Sequence, residues 1–124
     1  MNVPFTDREL DLMAVLWERE SGTVSEVQQA LSDDLAYTTV LTTLRNMEEK
    51  GYVRHEEEGR TYRYFPEVPR ERASRSALRR VMNTMFGGSR ERLVMQLISD
   101  EDMSEEELRR LHRFVAEELE GGEE

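Results

Sequence analysis

The chain has no cysteine among its 124 residues. Disulfides and thiolate metal sites are thereby excluded, and a reducing cytosol is the expected compartment. Also lacking is any apolar run close to the roughly 20 residues that span a bilayer. The opening residues carry neither the basic nor the apolar region of a secretory leader. A cytoplasmic chain with no membrane insertion is expected. The two histidines, His55 and His112, stand far apart and outside any ligand spacing. With no nucleophile motif and no phosphate-cradling glycine loop, the sequence predicts no metal, no cofactor and no enzyme. The acidic clusters at Asp100, Glu101 and Asp102 and at Glu105, Glu106 and Glu107 suit the positive end of a helix better than a cation site.

Positive charge is scarce and unevenly placed, with a formal net charge of -10. Residues 1–69 carry seven Lys/Arg against fourteen Asp/Glu, a net of -7; residues 70–92 carry seven against two, +5; residues 93–124 carry three against eleven, -8. Such a chain lacks the broad basic field of a non-specific nucleic-acid coat. A specific reader that concentrates its cations at one surface is still allowed, its general acidity lowering affinity for random DNA. The most telling local absence is of carboxylates. Residues 37–46 include Tyr37, Thr38, Thr39, Thr42, Thr43, Arg45 and Asn46, and no Asp or Glu.

Thr6 and Glu9 have capping-box spacing. Leu10, Met13, Ala14 and Trp17 recur at helical period, predicting a helix over residues 7–20 that ends at Ser21 and Gly22. Thr23 and Val24 read as one short strand. Ser25 and Gln28 form a second box-like pair, opening a helix buried through Val27 and Leu31, and Ser32, Asp33 and Asp34 make a polar turn. A third helix over residues 37–50 turns Val40, Leu41, Leu44 and Met47 inward and stops at Gly51. From residue 52 the period drops to two. Strands are predicted over 52–56 and 60–65, joined by a turn at Glu57, Glu58 and Gly59 and bounded by Pro66 and Pro69. Beyond Pro69 the chain is helical again, over residues 71–86, over 89–98 after Gly87 and Gly88, and from Ser104, boxed with Glu107, along Leu108, Leu111, Val115 and Leu119. The predicted fold is mainly α with a small β-hairpin: a winged helix-turn-helix in a domain of residues 1–69, then a helical dimerisation domain of residues 70–124.

That second domain is too short to close a core alone. Its apolar faces are expected to meet a second copy in a two-fold dimer through Leu78, Met82, Met85, Phe86, Leu93, Leu97, Leu108, Leu111 and Val115. Packing back on the winged helix is the alternative. On the third helix, Thr39, Thr42, Thr43 and Asn46 fall along one side, with Thr38 beside them. Short hydroxyl side chains suit base edges, thymine methyls and phosphates in a major groove. A threonine-rich helix held only by packing is the plainer reading. Arg45, Lys50, Arg54, Arg60 and Arg63 are the candidate phosphate partners, Arg60 foremost because Glu56, Glu57 and Glu58 crowd the wing tip. Tyr62 and Tyr64 are expected in the core. The residues therefore predict a reader of double-stranded DNA. Two other readings stand beside it: a winged-helix protein-interaction module, favoured by the net charge and acidic wing, and a regulator with a small-ligand pocket between the fourth and sixth helices.

In their order and spacing these pieces resemble the bacterial penicillinase repressor family, which includes the methicillin-resistance regulator and copper-responsive relatives. The resemblance is carried by Thr6, Asp7, Arg8, Glu9, Leu10, Asp11, Leu12 and Met13 with Trp17, and by Tyr37, Thr38, Thr39 and Val40 with Thr42 and Leu44. Glu49, Lys50 and Gly51, then Glu58, Gly59 and Arg60 ahead of Tyr62, Arg63 and Tyr64, continue it, and Met85 to Gly88 and Asp102 to Leu108 complete it. It implies a homodimeric repressor with two heads on a palindromic promoter operator and interlocked C-terminal helices. It further implies a membrane sensor-protease that detects β-lactam and triggers cleavage, the matching bond lying between Gln96 and Leu97. Thr38 and Asn46 stand where studied members often carry lysine and arginine, so base preference is expected to differ. The paired cysteines of the copper-responsive relatives are missing, which rules out that mode of sensing.

Overall fold

The computed structural model describes residues 3–100 and 102–122. Its elements are α1 (Asp7–Arg19), β1 (Gly22–Thr23), α2 (Val24–Ala30), α3 (Tyr37–Glu49), β2 (Val53–Glu58), β3 (Thr61–Pro66), α4 (Arg70–Met85), α5 (Arg90–Asp100) and α6 (Glu105–Gly121). The first six follow winged-helix order, with a three-stranded antiparallel sheet ordered β1-β3-β2. The chain forms two compact units, Met1–Arg80 and Val81–Glu124, so the division falls inside α4. No helix among the described residues is long and apolar enough to cross a membrane.

Helix α1 starts where its capping box closes. The Thr6 hydroxyl accepts from the Glu9 amide at 3.1 Å, and a Glu9 carboxylate oxygen accepts from the Thr6 amide at 2.9 Å. Two of the orphan donors of the first turn are thereby satisfied. Leu12, Met13 and Leu16 are completely buried. After the helix the chain must pass close to α2, and glycine makes this possible: a Cβ on Gly22 would lie 3.1 Å from Cγ2 of Val27 and 3.6 Å from Cδ2 of Leu16.

The second capping box is not Ser25 with Gln28 but Thr23 with Glu26, both reciprocal hydrogen bonds measuring 3.2 Å. Thr23 is also the last residue of β1, opposite Arg63 of β3. That pairing holds Thr23 in extended geometry, so the helix begins at Val24. A sequence that fits two box registers is decided by a strand forty residues away.

Helix α3 buries Val40, Leu44 and Met47, with Leu41 packed half-buried against the same core. It ends at Gly51, whose φ of 83° is left-handed and which an L side chain would strain. The reversal lets the Tyr52 amide donate to the Met47 carbonyl at 2.9 Å and feeds the chain into β2.

The hairpin turn is Gly59 and Arg60, not the expected Glu57, Glu58 and Gly59. Glu56, Glu57 and Glu58 lie within β2, paired with Arg63, Tyr62 and Thr61. A two-residue turn with a left-handed glycine matches strand twist, and Arg63 neutralises Glu58 across the strands. Alternation then sends Tyr64 into the core and leaves Tyr62 partly exposed. The expectation of two core tyrosines holds for Tyr64 alone.

The first turns of α4 close this unit. Ala73 joins the core, the Ser76 hydroxyl accepts from the Val3 amide at 3.0 Å, and the Trp17 indole donates to the Val68 carbonyl at 2.8 Å. In the second unit, left-handed Gly87 and Gly88 end α4, and Ser104 with Glu107 caps α6 as expected. Neither α5 nor α6 has a buried residue among those described.

Candidate nucleic-acid interface

Thr38, Thr42, Arg45 and Asn46 are exposed on α3. Their spacing of four, three and one places them on a single stripe opposite Val40, Leu44 and Met47. Thr39 and Thr43 lie half-buried on its flank, and the Thr43 hydroxyl donates to the Thr39 carbonyl at 2.8 Å. That donor is spent inside the helix, leaving Thr43 its methyl and its lone pairs. The stripe first meets a carboxylate at Glu49, the last residue of the helix.

The cations divide sharply. Lys50 Nζ lies 2.7 Å from Oε2 of Glu9. Burial pushes the Glu9 carboxyl up, but the Lys50 ammonium and the Thr6 donors outweigh it and hold it below its ordinary value. Arg54 pairs with Glu56 and Glu67, each at 3.0 Å, and its guanidinium lies over the Phe65 ring. Arg63 bridges Glu58 at 2.9 Å and Glu26 at 3.0 Å, and donates to the Ser21 hydroxyl at 3.2 Å. Its hydrogen bonds hold the Glu26 and Glu58 carboxyls low and raise its own pKa further. Arg63 thus fastens the wing to β1 and α2. Arg45 and Arg60 are exposed and make no ion pair among the described residues, Arg60 sitting on the wing tip.

This partition also accounts for the acidic wing. Glu56 and Glu58 are matched by Arg54 and Arg63, so among the β2 carboxylates Glu57 alone makes no ion pair among the described residues. Wing and helix are further joined by His55. Its Nδ1 lies 2.7 Å from both Glu48 carboxylate oxygens, its amide donates to Oε2 of Glu48 at 3.1 Å, and its ring packs 4.4 Å from that of Tyr62. No local pattern announces this tie, because it spans the helix end and the turn.

In the C-terminal helices, Leu78, Met85, Leu97, Leu108, Leu111 and Val115 are exposed, whereas Met82, Phe86 and Leu93 are half-buried. Sequence reasoning passed over Phe114, 59% exposed on α6, and placed Leu119, 68% exposed, on the apolar stripe without assigning it to the dimer surface. Gln96 and Leu97 lie exposed on α5, and Gln96 Nε2 donates to Oδ2 of Asp100 at 2.9 Å. No cluster of three or more His, Asp or Glu side chains suited to a metal occurs among the described residues.

Residues 5–117 match the penicillinase repressor family. The chain is 26% identical over 114 residues to the penicillinase repressor of Bacillus licheniformis, covering 90% of this chain and 89% of that protein. The solution structure of the DNA-binding domain of the repressor BlaI is similar with a TM-score of 0.51 at 30% identity, over 58% of this chain and 93% of that domain. Also similar is the Bacillus licheniformis BlaI monomeric form solved in complex with the blaP half-operator, with a TM-score of 0.50 at 28% identity, over 58% of this chain and 90% of that one. With the winged-helix order and the hydroxyl-rich stripe of α3 already in place, a family match over nearly the whole length decides the assignment: the chain belongs to the penicillinase repressor family.

Proposed function

We propose that this chain acts as a homodimer whose two α3 helices enter successive major grooves of a palindromic promoter operator. As a member of its family it is a DNA-binding transcriptional repressor of the kind that regulates antibiotic resistance, and not an enzyme. One observation carries the reading. In a chain of net charge -10, the exposed stripe of α3 is free of carboxylates until its last residue and is accompanied by two arginines, Arg45 and Arg60, that make no ion pair among the described residues. A surface cleared of negative charge in this way suits the approach to phosphate.

In this reading Thr38, Thr42 and Asn46 meet base edges, Asn46 being suited to adenine and the threonine methyls to thymine. Arg45 and Arg60, both on the wing side of the helix, meet backbone phosphates, and Thr39 and Thr43 line the groove wall. Lys50, Arg54 and Arg63 act through the carboxylates they hold, keeping helix and wing in one geometry. The BlaI monomer was solved on a half-operator, and a two-fold dimer matches two such half-sites.

The exposed apolar faces of α4, α5 and α6 supply the dimer contact. Scission between Gln96 and Leu97 would divide α5 and dismantle that contact, so a membrane sensor-protease is the proposed source of induction and the cytoplasm the proposed compartment. Titration into a duplex taken from upstream of the chain's own gene tests the core of the proposal. Tight binding that weakens steeply from low to physiological salt supports it, and affinity equal to that for random duplex overturns it.

A further inference from the structure

A second cation faces the recognition helix from outside it. An open cleft of about 340 Å³ is bounded by Thr6, Arg8 and Glu9 at the start of α1 and by Thr43, Asn46 and Glu49 of α3. Arg8 is exposed, and its side chain makes no hydrogen bond or ion pair among the described residues. It stands in the first turn of α1, where the partial positive charge of the helix end disfavours a cation. Its neighbour Glu9 is already taken by Lys50. Nothing among the described residues therefore repays an arginine at this position.

The side of α3 on which it lies gives the reason. At roughly 100° per residue, Glu48 points to one side of Thr42, and the wing is attached there through His55. Thr43 and Lys50 point to the other side, where the cleft lies. A helix seated in a major groove has a sugar-phosphate ridge along each flank. Arg60 on the wing serves one ridge, and on the opposite flank the described cations are Lys50, held by Glu9, and Arg8, which makes no ion pair among the described residues.

Resting on the DNA-binding reading above, we propose that Arg8 is a positioning residue that grips a backbone phosphate on the ridge opposite the wing, setting the angle at which α3 enters the groove. The contact reads no base. Glu49 in the same cleft limits it to a single phosphate rather than a basic patch.

The test uses the full chain and two duplexes, one from upstream of its own gene and one of random sequence, each titrated over a salt series. Arg8→Ala is expected to weaken both by a similar factor, on the order of fivefold, and to lower the slope of log affinity against log salt by about one. Arg8→Lys should keep the wild-type slope, and the melting temperature of both variants should stay at or slightly above that of wild type. An unchanged slope in Arg8→Ala, while wild type still prefers the upstream duplex, overturns the role of Arg8 and leaves the DNA reading intact. So does a loss that comes with a lower melting temperature and is not restored by lysine. Wild type that fails to prefer the upstream duplex removes the DNA reading itself, and this inference with it.

Discussion

Lys50 Nζ stands 2.7 Å from Oε2 of Glu9, a carboxylate whose side chain is only 5% exposed. The pair locks the C-terminal end of α3 to the first turn of α1, and the same carboxyl group closes the α1 capping box. Glu9→Ala removes both functions and should cost about 2 kcal/mol in denaturant unfolding. Lys50→Met should lower the unfolding midpoint less, and the double variant should lose less than the two singles combined. Neither change should alter the salt dependence of DNA binding. A lower salt slope in Lys50→Met would place that ammonium on phosphate instead.

Thr42 is exposed at the middle of the α3 stripe. Placing a carboxylate there sets like charges against each other at the groove wall. Thr42→Glu should reduce affinity for the upstream duplex by at least roughly a hundredfold, with helical circular dichroism and melting temperature kept. Retained affinity, measured by anisotropy, would remove Thr42 from the interface.

Acid should unfold the winged helix in a defined window. Arg63 holds the Glu26 and Glu58 carboxyls below their ordinary 4.5. Groups with a depressed folded pKa contribute fully above the unfolded value, and that contribution is lost as pH falls through the folded one. Thermal melts should therefore be level near neutrality and fall between about pH 5 and pH 3. Arg63→Met should be less stable at neutral pH and flatter through that window. An equally steep acid slope in the variant would mean that other carboxylates control it.

Met85 is 74% exposed at the end of α4. On the proposed dimer it is covered, so Met85→Glu should yield a monomer in sedimentation equilibrium, with DNA affinity lower because each complex then engages one half-site. A sedimentation mass equal to wild type contradicts that placement.

Much of the architecture is written in local spacing. The Thr6 and Ser104 caps, the helical period of α3 and the glycine stop at Gly51 depend on neighbours within a turn, and each reads directly from the chain; the buried face of α1 does not, since Leu10 and Ala14 are exposed while Leu12 and Leu16 join Met13 in the core. What escapes is decided at a distance. The α2 box settles on Thr23 because β3 pairs with β1, and the turn moves to Gly59 and Arg60 because β2 runs through all three glutamates. The candidate site shows the same division. That the outer stripe of α3 is polar and carboxylate-poor is legible from its residues. Which arginines are unpaired is not, since Arg63 meets Glu26 across 37 positions and Arg54 meets Glu67 across the hairpin.

Amide chemical-shift mapping of the isotope-labelled chain against the upstream duplex tests the central claim most directly. The account predicts the largest changes at Thr38, Thr42, Arg45 and Asn46 and at the wing tip around Gly59 and Arg60. Changes confined to α5 and α6, or to the acidic strand β2 with α3 unmoved, would contradict it.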